Sequence, residues 1–426
     1  MIKLPVDRWR CCSKKGCFIM YCLSFDIAKG KSVVELFNGR LEPLIVPYEI
    51  HHVKEEFVAL ASKLDISQTE IILESTSMYH YPVVSFFKNL GFVVIILNPI
   101  ISREHKRNLR KTKTDLIDCV NLAAIYFEKK FNLQKEHLPI YHQMQSISRH
   151  IFTLNESMVR YKNRYHQLLE LIFPLYEYTL KNEVKFKSDH MTLLKTFPHP
   201  ELLIHQRVDR LATVLASMHK RMDHRFLKTA QMIKDLAKMT LYSVSKDDVV
   251  IDEFVELSNL ILDLDDKIMH HQNLLIDLAQ TRTDFHKIVS IFGISSYMAA
   301  LLVAELKDLS SYRTVKQLTA ACGLDPTITQ SGKSIDYHGH ISKRGNKHAR
   351  KALFNAVSTI IRSSSRLKPQ NPILVYYRKK RSENKHHYAS VIACTTKLLR
   401  IIFTLCKNDL TYLSQYNQNH SVTPIV

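Results

Sequence analysis

Residues 111–118 read Lys-Thr-Lys-Thr-Asp-Leu-Ile-Asp and end in two carboxylates, Asp115 and Asp118, three positions apart. They open an apolar-periodic segment, Thr114 to Phe127, and on a helix they share one face. Arg107, Arg110, Lys111 and Lys113 come just before them. Paired acids beside a basic approach suit metal-assisted chemistry on phosphodiesters, because carboxylates hold Mg2+ and basic groups hold the phosphate backbone. Taken alone, a D-x-x-D pair is more often a solvated helix face. The elements that precede it decide between the two.

Working outward, Phe18 to Ile27 is a largely apolar run with Asp26 near its end, the pattern of a strand. Lys31 to Phe37 predicts a second strand, and Arg40 to Val46 a third, bent by Pro43. Tyr48 to Leu64 has helical spacing. Thr69 to Leu73 predicts a strand that delivers Glu74 at its C-terminal end. A helix over Tyr81 to Leu90 and a buried strand over Phe92 to Leu97 follow. The order β-β-β-α-β-α-β-α is that of an RNase H-like fold, an α/β domain in which the first and fourth strands are central neighbours. Asp26, Glu74, Asp115 and Asp118 then converge. Four converging carboxylates are costly without cations, so the cluster predicts a divalent metal, and oxygen-only ligands favour Mg2+ or Mn2+ over zinc. Taken singly, Asp26 also reads as a strand-end turn residue and Glu74 as a solvated cap.

The formal charge of +20 over 426 residues points to a polyanionic partner. Residues 333–400 hold 16 Lys or Arg against 2 Asp or Glu, and so carry +14 of it. No run of 18 apolar residues predicts a membrane span, and the N-terminus shows no signal-peptide pattern. Cys11, Cys12, Cys17 and Cys22 lack C-x-x-C spacing and read as free thiols of a reducing cytosol.

From Met144 to Ile172, apolar residues recur at spacings of three and four, and a second seam runs from Phe254 to Leu278. Together they predict a coiled coil, used either as an antiparallel helical arm or for dimerisation. His271 falls on the second seam as a register-setting or edge residue rather than a metal ligand. Residues 175–250 read as mostly helical, over Leu202 to Met218 and Arg225 to Tyr242, with surface histidines His199, His205, His219 and His224.

Lys287 to Leu306 reads helix, Phe-Gly-Ile turn, helix: a helix-hairpin-helix able to grip phosphate, or a plain helical hairpin. After Cys322-Gly-Leu-Asp-Pro326 comes a polar loop, Thr327 to Lys333, and then a helix over Lys347 to Ile361. Ser331 sits in that loop among Lys333, Lys343, Arg344 and Arg350, where a phosphate would be held. An activated serine there has a phosphorus to attack, although a Ser-Gly pair is more often a turn.

The chain resembles the insertion-sequence transposases with a DEDD catalytic domain, the IS-one-ten and IS-eleven-eleven group related to Piv-type DNA invertases. The resemblance rests on FDIAKGK (25–31), LESTSMYH (73–80), GFVVIILNP (91–99), KTKTDLIDCVNLA (111–123), IVSIFGISSYMAALLVAEL (288–306), LTAACGLDP (318–326), TQSGKS (329–334) and ISKRGNKHARKAL (341–353). It implies a RuvC-like domain whose tetrad, Asp26, Glu74, Asp115 and Asp118, holds Mg2+ or Mn2+. It also implies a mostly helical C-terminal transposase domain whose nucleophile is Ser331, with Ser334 and Ser342 as the other serines nearby. The expected organisation is an extension (1–17), the RuvC-like domain (18–135), a long helical coiled-coil linker (136–284), the transposase domain (285–410) and a tail (411–426). The implied partners are DNA at the element ends and target, a structured guide RNA, and further copies in a dimer or tetramer, in the cytoplasm and without a membrane. Ser77 and Ser295 stand where the family has glycine, and residues 1–17 extend beyond its usual start. Two other functions share these residues: a RuvC-like structure-specific endonuclease that uses the tetrad and water, and a non-catalytic nucleic-acid-binding protein.

Overall fold

The computed structural model describes residues 21–106, 115–128, 139–217, 219, 224–331, 335–367 and 370–412. The chain divides into two compact units, Met1–Glu136 and His137–Val426.

The first unit holds β1 (Tyr21–Ile27), β2 (Lys31–Phe37), β3 (Tyr48–His51), α1 (Lys54–Ala61), β4 (Thr69–Glu74), α2 (His80–Asn89), β5 (Val93–Leu97), α3 (Pro99–Lys106) and α4 (Asp115–Phe127). Its mixed five-stranded sheet has the order β3-β2-β1-β4-β5. β1 pairs antiparallel with β2 and parallel with β4, and β4 pairs parallel with β5. Strand alternation sends Leu23, Phe25 and Ile27 to one face, where they join Phe57 of α1 and Phe87 of α2. Cys22 and Phe37 face the other way and join Leu122, Ala123 and Tyr126 of α4. The unit is an α/β sheet with helices on both faces.

The third strand lies later than the sequence pattern placed it. Pro43 has no N–H to give a ladder, and Asn38 closes a turn around it, its Oδ1 accepting from Arg40 N at 2.9 Å and Glu42 N at 3.0 Å. Only a single bridge, Phe37 to Pro43, remains there. Tyr48–His51 pairs with β2 instead, so the expected helix from Tyr48 begins only at Lys54. The helix α3 had no counterpart in the sequence pattern.

The second unit begins with α5 (Pro139–Ile172). Six shorter helices follow, α6 to α11: Pro174–Thr179, Asn182–Lys185, Ser188–Thr196, Pro200–Ile204, Val208–Ala216 and His224–Met239. Then come α12 (Val249–Gln280), α13 (Thr283–Val289), α14 (Ser296–Leu306), α15 (Val315–Ala321), β6 (Pro326–Ser331), β7 (Ile335–Ile341), α16 (Lys347–Leu367), α17 (Pro372–Ser382) and α18 (His387–Lys407). The two apolar seams meet each other within the chain. α5 and α12 run antiparallel: Arg164 holds Glu253 through two bonds of 2.7 and 2.8 Å, and Arg282 Nη2 donates to Tyr141 Oη at 3.0 Å. One end of the pair, from Met158 to Ile172 and Ile251 to Ile268, is packed into the core of α8, α10 and α11. The other end, with Tyr141, Met144, Ile151 and Leu275, is packed into the core of α13 to α18. His271 is a partly exposed edge residue, its ring against His150.

Two expectations for this unit change. The helix over Leu202 to Met218 is broken between Ile204 and Val208, where Arg207 is extended. His199 is fully buried, not on the surface. Its Nδ1 accepts from Glu201 N at 3.3 Å and its Nε2 lies 3.1 Å from Val244 O, so both ring nitrogens are used and burial costs little. Among the described residues one helix, α18, is long and apolar enough to cross a membrane by length and composition. Its Val391, Leu398 and Ile402 lie in the C-terminal core.

Candidate functional site

In the first unit, Phe25 pairs with Leu73 on adjacent parallel strands. The next residue on each strand is Asp26 and Glu74, so both acids stand at the C-terminal end of the sheet's centre. They share the α4 face with Ser24, Glu35 and Ile72, by alternation and by the pairing of Ser24 with Glu35 and Ile72. Cys119 of α4 donates from Sγ to Val33 O at 3.4 Å, and Val33 is the partner of Asp26. Asp118, one residue before Cys119, therefore belongs to the turn of α4 that crosses the Asp26 end of the sheet. Burial, offset in part by hydrogen bonds to the Asp26 backbone and Ser24, pushes the Cys119 thiol up to about 12. That thiol is inert packing, not a nucleophile.

Glu74 is held from α3: buried Ser102 places its Oγ 2.5 Å from Glu74 Oε2 and 3.1 Å from Pro99 O. The α4 face carries two further acids that the sequence did not single out. Glu70 accepts from Tyr126 Oη at 2.8 Å. Glu35 is 5 % exposed, its Oε2 has no hydrogen-bond partner, and burial pushes its carboxyl up. A glutamate in an apolar strand, KSVVELF, was the visible signal for it.

This donor set is oxygen only, which fits a hard divalent cation and not zinc. Among the described residues no group of three or more His, Cys, Asp or Glu side chains stands close enough to hold a metal. Asp115 opens α4, and its description is confined to the backbone. Arg107, Arg110, Lys111 and Lys113 lie outside the described residues.

Ser77, three residues after Glu74, has φ +46°. That left-handed conformation favours glycine, so the serine carries a local strain. Ser77→Gly is expected to raise stability by about 0.5–1 kcal/mol, read from a urea-unfolding midpoint. An unchanged or lower midpoint would mean that the serine hydroxyl compensates.

In the second unit, the expected polar loop is a β-hairpin. β6 and β7 pair antiparallel, and Ser331 closes β6 opposite Ile335. For Ser331 too, the description is confined to the backbone, and Lys333 and Ser334 lie outside the described residues. The hairpin stands on two interlocked turns. Asn346 N donates to Ala321 O at 2.8 Å, Lys343 N to Gly323 O at 3.1 Å, and Ser342 N to Asp325 O at 2.8 Å. Ser342 Oγ also donates to Asp325 Oδ1 at 2.6 Å, which commits that hydroxyl to the turn. Arg350 reaches back from α16, its Nη1 donating to Cys322 O at 2.9 Å and Gly345 O at 3.1 Å. Arg350 is thus a brace of the turns, whereas Lys343 and Arg344 are exposed.

Beneath the turns lies a buried acid that the sequence reading passed over. Glu305 is 4 % exposed and accepts from Ser148 Oγ of α5 and from Asn346 Nδ2, both at 2.8 Å. Asn346 Oδ1 in turn accepts from His348 N at 2.9 Å at the start of α16. A lone acid in the apolar helix SYMAALLVAEL was the signal for it.

The helical hairpin turns at Gly293, φ +89°, where a Cβ would stand 2.8 Å from Ser363 Oγ and 3.0 Å from Ile360 Cα. Ser295 needs no glycine: it is extended and caps α14, its Oγ accepting from Met298 N at 3.2 Å.

Comparison with known proteins bears on both units. A transposase domain model, of the DEDD kind from IS110 elements, matches residues 23–174. A second, described as transposase of the IS116/IS110/IS902 family, matches residues 286–370. An uncharacterized 43.6 kDa protein of insertion element IS110 from Streptomyces coelicolor is 25 % identical over 129 residues, 30 % of this chain and 30 % of that protein. An uncharacterized 44.8 kDa protein of insertion element IS116 from Streptomyces clavuligerus is 24 % identical over 153 residues, 36 % of this chain and 37 % of that one. The matched stretches span about a third of the length of these relatives. Each matched region is thus similar to a transposase domain of IS110-type insertion elements. The first matched region contains Asp26, Glu74, Asp115 and Asp118, and the second contains Ser331, Lys343, Arg344 and Arg350.

Proposed function

We propose that this chain is the transposase of an insertion sequence, which cuts and rejoins DNA through a RuvC-like acidic tetrad and a serine nucleophile. The observation that carries the reading is the pairing of β1 with β4, which ends Asp26 and Glu74 side by side on the face that α4 covers. Asp26, Glu74, Asp115 and Asp118 would hold Mg2+ or Mn2+, which when bound neutralises charge on the phosphate and on the departing oxygen. Ser331 Oγ forms a bond to phosphorus as the bond from phosphorus to one DNA oxygen breaks. The serine gives up its proton and the departing strand end takes one up. The phosphoserine ester stores the energy of the broken link, so a second strand end rejoins without an external source. Lys343 and Arg344, with Lys333, hold the backbone phosphates, as do Arg107, Arg110, Lys111 and Lys113 before the acidic pair. The same reading includes a structured guide RNA, assembly as a dimer or tetramer, and action in the cytoplasm.

Trapping tests it. Purified protein with its co-purifying nucleic acid is incubated with end-labelled element-junction DNA and Mg2+, then denatured. A protein–DNA adduct is expected from the wild type and none from Ser331→Ala. Cleavage of equal extent in both proteins, with no adduct, would instead assign a water-using nuclease. Binding without any cleavage would leave a binding protein.

A further inference from the structure

The corner between α17 and α18 carries aromatic rings and cations that neither the acidic face nor the serine hairpin uses. Every residue from Arg381 to Ala389 is exposed. Tyr388 is 63 % exposed. The rings are aligned. Phe354 of α16 packs against the C-terminal core. Tyr388 stacks on Phe354 at 6.1 Å between centroids and 22° between planes. His386 stacks on Tyr388 at 5.5 Å and 25°. This column of three near-parallel rings runs from the core to the exposed His386. Its outer end is braced: His386 Nδ1 accepts from Tyr388 N at 3.3 Å, and next to it Tyr377 Oη lies 2.8 Å from His387 Nδ1.

The stretch that carries two of these rings is rich in positive charge. Residues 376–388 hold Arg378, Lys379, Lys380, Arg381 and Lys385 against the single acid Glu383. Lys380 is tied to Glu383 at 2.9 Å, while Lys379 and Arg381 are exposed. Pre-stacked rings among cations match the chemistry of unpaired bases on a phosphate chain, because every base has a face that stacks and every link carries a charge. A duplex keeps its base faces inside and would meet only the cations.

We propose that the α17–α18 corner is a stacking platform for unpaired nucleotides, with a base laid against the Tyr388–His386 column and its phosphates on Lys379 and Arg381. The inference rests on the reading of the chain as an enzyme that handles nucleic acid.

Fluorescence anisotropy on the full chain tests it, with labelled twelve-nucleotide oligouridylate, oligothymidylate and a duplex of equal length as probes. Tyr388→Ala is expected to weaken single-strand binding about tenfold and duplex binding less than about twofold. His386→Ala should act in the same direction, and Tyr388→Phe should restore binding because the ring face survives. Lys379→Gln should reduce the salt dependence for all three probes. The two single strands show whether ribose or deoxyribose is preferred. Equal single-strand binding by wild type and both alanine variants would overturn the platform, as would equal competition by polyglutamate. The adduct assay keeps the two ideas apart. Loss of the wild-type adduct with intact, Tyr388-dependent binding would sink the recombinase and leave the platform.

Discussion

Asp26→Asn should lower strand cleavage by on the order of a thousandfold, about 4 kcal/mol of transition-state stabilisation, and leave the fold intact. Asp26 and Glu74 end neighbouring strands whose preceding residues, Phe25 and Leu73, are paired in register. Two carboxylates brought together at the C-terminal end of the sheet's central strands repel each other, and a cation between them relieves that repulsion. Asparagine keeps the size and one acceptor oxygen but removes the charge that binds the cation. The wild type should therefore gain thermal stability on addition of Mg2+, by linkage of binding to folding, and Asp26→Asn should gain much less. Cleavage by the variant within about tenfold of wild type, or equal Mg2+ stabilisation of both proteins, would remove Asp26 from the catalytic set. The melting readout is independent of Ser331, so it also separates a failure of the tetrad from a failure of the serine.

Gly345→Ala should cost at least about 3 kcal/mol, because two backbone segments cannot make room. An added Cβ would lie 2.2 Å from Ala321 O and 2.3 Å from Gly323 N. Neither is the end of a flexible side chain. Gly323 faces the same obstacle from the other side, with φ +62° and a Cβ that would meet Gly345 N at 2.6 Å. The two glycines are the contact on which the hairpin stands. The variant should show a lower urea midpoint, faster proteolysis within residues 321–346, and no serine adduct. Wild-type stability would mean that the turns separate at little cost, and the hairpin would not need this footing. Arg350→Ala should be read in the same light, since Arg350 donates to Cys322 O and Gly345 O. Lys343→Gln and Arg344→Gln report on phosphate contact more cleanly.

The sheet was legible where one period ruled. β1 and β4 are largely apolar runs of strand length, and the acids at their C-terminal ends stood out because each follows directly on apolar residues, Phe25 and Ile71 to Leu73. The two long helices were legible because their seams persist over many turns. The third strand was not, because a proline and the Asn38 turn broke the ladder at the place that composition favoured. The hairpin of β6 and β7 was hidden for another reason. Its residues are polar, and strand pairing is a backbone property that Thr and Tyr alternation signals only weakly. Buried polar groups were the least legible. Glu305 and His199 are placed by partners far along the chain, Ser148 at 157 residues and Val244 at 45, and no local pattern encodes such distances.

The antiparallel pair α5 and α12 is anchored in a different core at each end. α5 alone, at 34 residues, is a beam of about 50 Å with no break. Near one end it grips Glu305 through Ser148, and Glu305 grips Asn346, the first footing of the chain after the hairpin. At the other end it is clamped among α8, α10 and α11. A tilt of a few degrees at the clamped end becomes a shift of several ångströms at the hairpin end, by lever arithmetic alone. Whatever seizes the small helices between residues 174 and 239 therefore holds the short arm of a lever whose long arm ends at the footing of the β6–β7 hairpin.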